Sequence, residues 1–285
     1  MKRIILLGLL AASSYAGAHP SVGIVQDKHG NVFYTDTKQV IGIAPDGGVA
    51  IAVPSVHTHE LAFDSAGALY GEHLWYDERL PAKWAHRVWK RLPDGAVVDV
   101  YPQRDGFMTN YSLVRDGADA MYWADREGPH SLKKKSATGT LTTIAPSGFR
   151  QIQWMTVTDD GTAYVIDAGS LKRVSPDGRI TTLAAAVTAE AKPPADVHQM
   201  HYQMGLHAGR DGTVHVAVPA EKLVLRIQPN GVRSVAVRSQ APWAPSGVLA
   251  DATGALWVLE FDPKNAMRVV RIRPDGQRQV FETPR

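Results

Sequence analysis

Short runs of alternating apolar and polar residues, each bounded by turn residues, dominate the chain from about position 22 onward, the pattern of half-buried strands. In Val270–Arg273, for example, Val270 and Ile272 share one face while Arg271 and Arg273 share the other. One unit recurs six times. A strand leads into a turn in which Gly follows Asp by about three residues, two more strands follow, and a Pro-Asp-Gly-like turn leads into a fourth. The first turn appears as Asp27 to Gly30, Asp64 to Gly67, Asp116 to Asp119, a turn ending at Gly161, another at Gly212, and Asp251 to Gly254. The second appears at Pro45-Asp46-Gly47, Pro93-Asp94-Gly95, Thr138-Gly139, Pro176-Asp177-Gly178, Pro229-Asn230-Gly231 and Pro274-Asp275-Gly276. Asp, Asn and Gly tolerate the positive φ of tight hairpins, so each unit predicts two hairpins and four antiparallel strands. The second unit is the least regular, with Arg91 where others place Ile or Val.

An aromatic column supports this register: Phe33, Tyr70, Tyr122, Tyr164, His215 and Trp257 occupy one position of the second strand. His215 thus reads as a packing residue in an aromatic slot. Six such units predict an all-β, six-bladed β-propeller with four antiparallel strands per blade, whose closed ring protects its sheet edges.

Residues 1–18 differ. Lys2 and Arg3, the apolar stretch Ile4–Ala12 and the small-x-small pattern Ala16-Gly17-Ala18 predict a signal peptide, with residues 19–285 the propeller. The apolar stretch is too short for a membrane span. The expected location is periplasmic or secreted. Without cysteine there is no disulfide or thiolate metal site. Removing Lys2 and Arg3 lowers the formal net charge from +3 to +1, so charge points to no nucleic-acid or anionic-membrane partner.

The segments Val22-Gly-Ile-Val-Gln-Asp-Lys-His-Gly-Asn-Val-Phe-Tyr-Thr-Asp36 and Ser246-Gly-Val-Leu-Ala-Asp-Ala-Thr-Gly-Ala-Leu-Trp-Val-Leu-Glu260 resemble NHL repeats. The resemblance covers nearly all of residues 19–285. It implies a superfamily of gluconolactonase-like hydrolases, peptidyl-hydroxyglycine lyases and binding scaffolds, while the repeat itself is structural.

Both tight turns of every unit fall on one face of the disc, so the remaining connections share the opposite face. The longest of these, Glu72–His86, Tyr101–Tyr111, Ala185–Gln203 and Arg238–Ser246, are expected to carry function. Most histidines map there, His57, His59, His73, His86, His130, His198 and His201 among them. His57-Thr58-His59-Glu60 is the densest set, and imidazole with carboxylate suits proton transfer or a divalent ion near neutral pH. The expected catalytic and metal-ligating residues are His59, Glu60 and His201, holding calcium or zinc. His57, Tyr111, Gln153, Trp75 and Trp243 are expected to bind substrate. A water-filled channel of mutually bonded polar side chains fits the same residues. Trp75, Tyr76 and Trp84 form either an aromatic platform or packing onto the disc. Asp36, Asp125, Asp167 and Glu260 recur at the end of the second strand and are expected to fix loop backbones or pair with Arg, with His73 replacing that acid in the second unit.

The resemblance and the site together lead to a metal-assisted hydrolase of lactone or ester type at the channel mouth. The alternatives are a non-catalytic propeller binding a peptide, glycan or small molecule on that face, and a propeller lyase.

Overall fold

A computed structural model describes residues 20–106, 111–126, 128–188 and 202–284. Each unit forms one blade of consecutive antiparallel strands. Blade 1 comprises β1 (Ile24–Gln26), β2 (Val32–Thr35), β3 (Val40–Ile43) and β4 (Val49–Val53). Blade 2 comprises β5 (Leu61–Phe63), β6 (Leu69–Tyr76), β7 (Trp84–Arg91) and β8 (Val97–Asp105). Blade 3 has β9 (Met121–Asp125), β10 (Ser131–Lys135) and β11 (Leu141–Ala145). Its inner edge is completed by the segment before β9, through an Arg115↔Met121 bridge and the Tyr122 N–H donated to Val114 O at 3.0 Å. Blade 4 holds β12 (Ile152–Val157), β13 (Ala163–Asp167), β14 (Ser170–Val174) and β15 (Ile180–Ala184). Blade 5 holds β16 (Leu206–Ala208), β17 (Val214–Val218), β18 (Leu223–Ile227) and β19 (Arg233–Arg238). Blade 6 holds β20 (Ala244–Ala250), β21 (Leu256–Phe261), β22 (Met267–Ile272) and β23 (Arg278–Glu282).

Turn chemistry sets the strand ends. In blade 1 Asp27 Oδ1 accepts the backbone N–H groups of His29 and Asn31, and Gly30 closes the turn at φ +86°. Asp251 does the same for Thr253 and Ala255 in blade 6. Blade 3 lacks the glycine, and Asp119 takes the left-handed conformation at φ +60°.

Among the described residues no strand is exchanged between the first and last blades, and side chains join the two. Ile24, Tyr34 and Ile43 of blade 1 share an apolar cluster with Trp257, Val269 and Phe281 of blade 6, and Tyr34 Oη lies 3.1 Å from Thr283 Oγ1. Similar clusters join blades 1 to 2, 3 to 4, 4 to 5, and 5 to 6. The inner strands surround a channel of about 310 Å³, mostly apolar, with Glu60, Arg115 and His207 among its lining residues. His215 occupies the aromatic slot as expected, opposite His207 on β16 and Arg226 on β18.

The connection expected over Glu72–His86 is not an irregular loop. β6 and β7 pair continuously from Leu69↔Arg91 to Tyr76↔Trp84, so Trp75, Tyr76 and Trp84 stand on a hairpin longer than those of the other blades. The run Glu-His-Leu-Trp-Tyr contains no breaker, and turn chemistry begins only at Asp77, ending with Lys83 at φ +58°. Tyr101–Asp105 likewise extends β8. Among the described residues no helix is long and apolar enough to cross a membrane.

Candidate functional site

Above the channel, on the face carrying the longer connections, blades 2, 3 and 4 enclose a cavity of about 460 Å³. Its walls come from the end of the His57–Glu60 segment, β6, β7, the chain before β9, and the start of β12. His59, Glu60, Tyr111 and Gln153, all expected at the site, line it. So do Glu72, His86, Trp123, Arg126 and Trp154, which were not assigned to it from sequence.

Glu72 is fixed by its neighbours. Its carbonyl oxygen accepts the Trp89 indole N–H at 3.0 Å, and its Oε1 accepts the His59 backbone N–H at 2.8 Å. The His59 ring Nδ1 lies 3.9 Å from the same oxygen. Trp89 is fully buried against Gly71, where a Cβ would come within 2.2 Å of the indole. Burial first, then the charge of Glu60, pushes the Glu72 carboxyl up to about 7, against a downward pull from backbone N–H groups. Burial also raises Glu60, which Arg126 opposes. The two carboxyls therefore resist carrying two negative charges together. Arg126 is aimed by Ile152 O and Gln153 O, at 3.2 and 3.4 Å from its Nε and Nη2. Tyr111 is raised by burial and its ring packs edge-on to His86 and Tyr101. Burial lowers the affinity of His86 for a proton.

The remaining expected residues lie elsewhere. His57 meets His59 edge-on at 4.7 Å but does not line the cavity, and Trp75 stacks on His73 at 5.0 Å. Trp243 lies on blade 6 under the Arg268 guanidinium, 4.0 Å from its ring centroid, and Arg268 pairs with Glu260 at 2.8 Å. His201 and His198 lie outside the described residues. Among the described residues no three His, Asp or Glu side chains are grouped to hold a metal ion. His59 and Glu60 are thus two members of the expected metal set, and the described residues alone do not complete it.

The recurring acids act on structure. Asp36 Oδ1 accepts the N–H groups of Lys38 and Gln39, and Asp167 Oδ1 those of Arg150 and Gln151. Asp125 pairs with Lys133 at 2.9 Å and Asp167 with Lys172 at 2.6 Å. One signal for Glu72 was present in the sequence: its position is held by Thr35, Ala124, Ile166, Ala217 and Leu259 in the other blades, none of them charged.

No protein-family model matches the chain, and no curated protein matches it. Solved structures do. A streptogramin B lyase aligns with TM-score 0.55 and 15% identity over 93% of this chain and 83% of its own. A gluconolactonase from Xanthomonas campestris aligns with TM-score 0.54 and 13% identity over 93% and 86%. An auxiliary nutrient binding protein from Bacteroides thetaiotaomicron aligns with TM-score 0.60 and 10% identity over 88% and 69%. By fold, the chain is a six-bladed β-propeller, similar in architecture to these solved structures.

Proposed function

We propose that the protein is an exported enzyme that hydrolyses a small lactone or ester by proton transfer in the cavity above the channel. The observation that carries this reading is the convergence of Glu60 and Glu72 with Arg126, Tyr111 and His59 in one pocket. Blade packing needs none of these charges, and buried charge without a packing role is characteristic of reactive sites. In this scheme the Glu60 carboxylate accepts a proton from water as the water oxygen bonds to the substrate carbonyl carbon. Arg126 and the Tyr111 hydroxyl stabilise the charge on the carbonyl oxygen. The C–O bond then breaks and the leaving alkoxide takes a proton from protonated Glu72, which the His59 N–H orients. Proton transfer from Glu60 to Glu72 restores the starting state. Export is supported by the leader pattern of residues 1–18, and an exported protein beginning at His19 by intact mass would match it.

A second reading is a binding propeller. Exposed Tyr76 and Trp84, packed edge to face at 5.5 Å on the blade 2 hairpin, suit a peptide or glycan. A screen of the mature protein against lactones, esters and lyase substrates, with and without chelator, separates the readings. Turnover indifferent to chelator is expected. Chelator-sensitive turnover would instead support an ion held by His59, Glu60 and His201, products of elimination a lyase, and saturable binding without turnover the binding propeller.

A further inference from the structure

On the opposite face, a cleft of about 550 Å³ opens between blades 1 and 2, and two departures from the repeat coincide in it. The first is Gly42. In the other blades the residue paired with the column aromatic on the third strand is cationic: Lys90 with Tyr70, Lys134 with Tyr122, Arg173 with Tyr164, Arg226 with His215, Arg271 with Trp257. Three of these place a cation 4.8 to 5.9 Å from the ring centroid. Phe33 pairs with Gly42 and has no such cover.

The second is Arg91. Its position at the end of the third strand is Ile43, Val174, Ile227 and Ile272 in blades 1, 4, 5 and 6, where each side chain belongs to the apolar packing between blades, and Lys135 in blade 3. Arg91 stands there in blade 2 and reaches the cleft, where it makes no hydrogen bond or ion pair among the described residues. The cleft's two carboxylates are occupied: Asp27 Oδ2 takes the Asn31 amide at 2.7 Å and Asp64 Oδ1 the Ala68 N–H at 2.8 Å. In the comparable cleft between blades 4 and 5, Arg210 is paired with Asp159 at 3.0 Å. A partly buried guanidinium without an anion, beside the apolar walls of Phe33, Phe63 and Ile51, has the features of a site for an amphipathic anion.

We propose that this cleft is a second binding site, for a small organic carboxylate with an aromatic or branched apolar body. The carboxylate forks onto Arg91, and the body lies against Phe33 and Phe63 in the space that Gly42 leaves open.

The test uses the mature protein titrated with phenylacetate, phenylacetamide and phenethylamine, followed by amide chemical shifts. Phenylacetate is expected to saturate with shifts on residues 27–31, 42–51 and 63–67, and phenylacetamide to bind about tenfold more weakly or worse, equivalent to about 1.4 kcal/mol or more. Arg91→Ile restores the residue type of four other blades, so it should fold and lose phenylacetate binding. Gly42→Lys restores the missing cation and should block the cleft. Glu72→Gln, in the cavity above the channel, should leave phenylacetate binding unchanged. Absence of saturable binding, equal binding of the amide, preference for the amine, or full binding by Arg91→Ile would each overturn the proposal.

Discussion

His57 donates its backbone N–H to Nδ1 of His73 at 2.7 Å, in the place where Asp167 receives the N–H groups of Arg150 and Gln151 in blade 4. A neutral imidazole therefore does in blade 2 what a carboxylate does elsewhere. Burial, then the neighbouring Arg87 and His57, lowers the affinity of His73 for a proton, which keeps Nδ1 available as an acceptor. His73→Asp should accordingly fold with nearly unchanged Tm. His73→Ala should lose about 1 kcal/mol, the usual scale for one such hydrogen bond. Urea melts of the two variants make the comparison.

Gly71→Ala should destabilise by about 1 to 3 kcal/mol, because its Cβ would overlap the Trp89 ring at a fully buried contact. Since Trp89 also holds the Glu72 carbonyl, activity should fall more than the loss of folded protein explains. Tm and specific activity, measured on the same preparation, separate the two effects.

Acid should weaken the ring through blade 5. Burial lowers His207 and His215 from an ordinary value of 6.5 to about 4, with Arg226 and the partner histidine adding to the shift of His215 and Asp211 opposing it. Between pH 6.5 and 4 the unfolded chain binds more protons than the folded one. Stability is therefore complete above 6.5 and is lost as pH falls toward 4, by on the order of 3 kcal/mol per histidine. His215→Phe, matching Phe33 in the column, should flatten the fall of Tm over that range. An equal fall in the variant would remove His215 from the account.

Much of the architecture was legible because turn chemistry is local. Asp27, Asp251 and their glycines mark the hairpins, and the aromatic column fixes the strand register through to His215. The blade 2 hairpin was not legible from the repeat, which ends strands at a fixed length, whereas the breaker-free run Glu72–Tyr76 lets pairing continue to Tyr76↔Trp84. At the site, His59 and Glu60 were found by their chemistry. Arg126 was not, because only the approach of blade 4 carbonyls aims it inward. Trp243 was expected to bind substrate, and its ring lies under the Arg268 guanidinium.

Ring closure predicts that removing blade 6 is not tolerated. A chain ending at Val237 loses the partners of Ile24, Tyr34 and Ile43 on one side and of Val224 on the other. It should aggregate, or melt without cooperativity by calorimetry. A soluble fragment with a single sharp transition would contradict closure.

The most direct test of the proposed chemistry is kcat/KM of Glu72→Gln on whichever lactone or ester the mature protein turns over, measured beside its Tm. The amide keeps an oxygen for the His59 N–H but has no acid proton to give the leaving alkoxide, so kcat/KM should fall by about 10² to 10⁴ while Tm holds or rises. Activity within a few-fold of the parent protein, in a variant that remains folded, would contradict the role given to the Glu60–Glu72 pair.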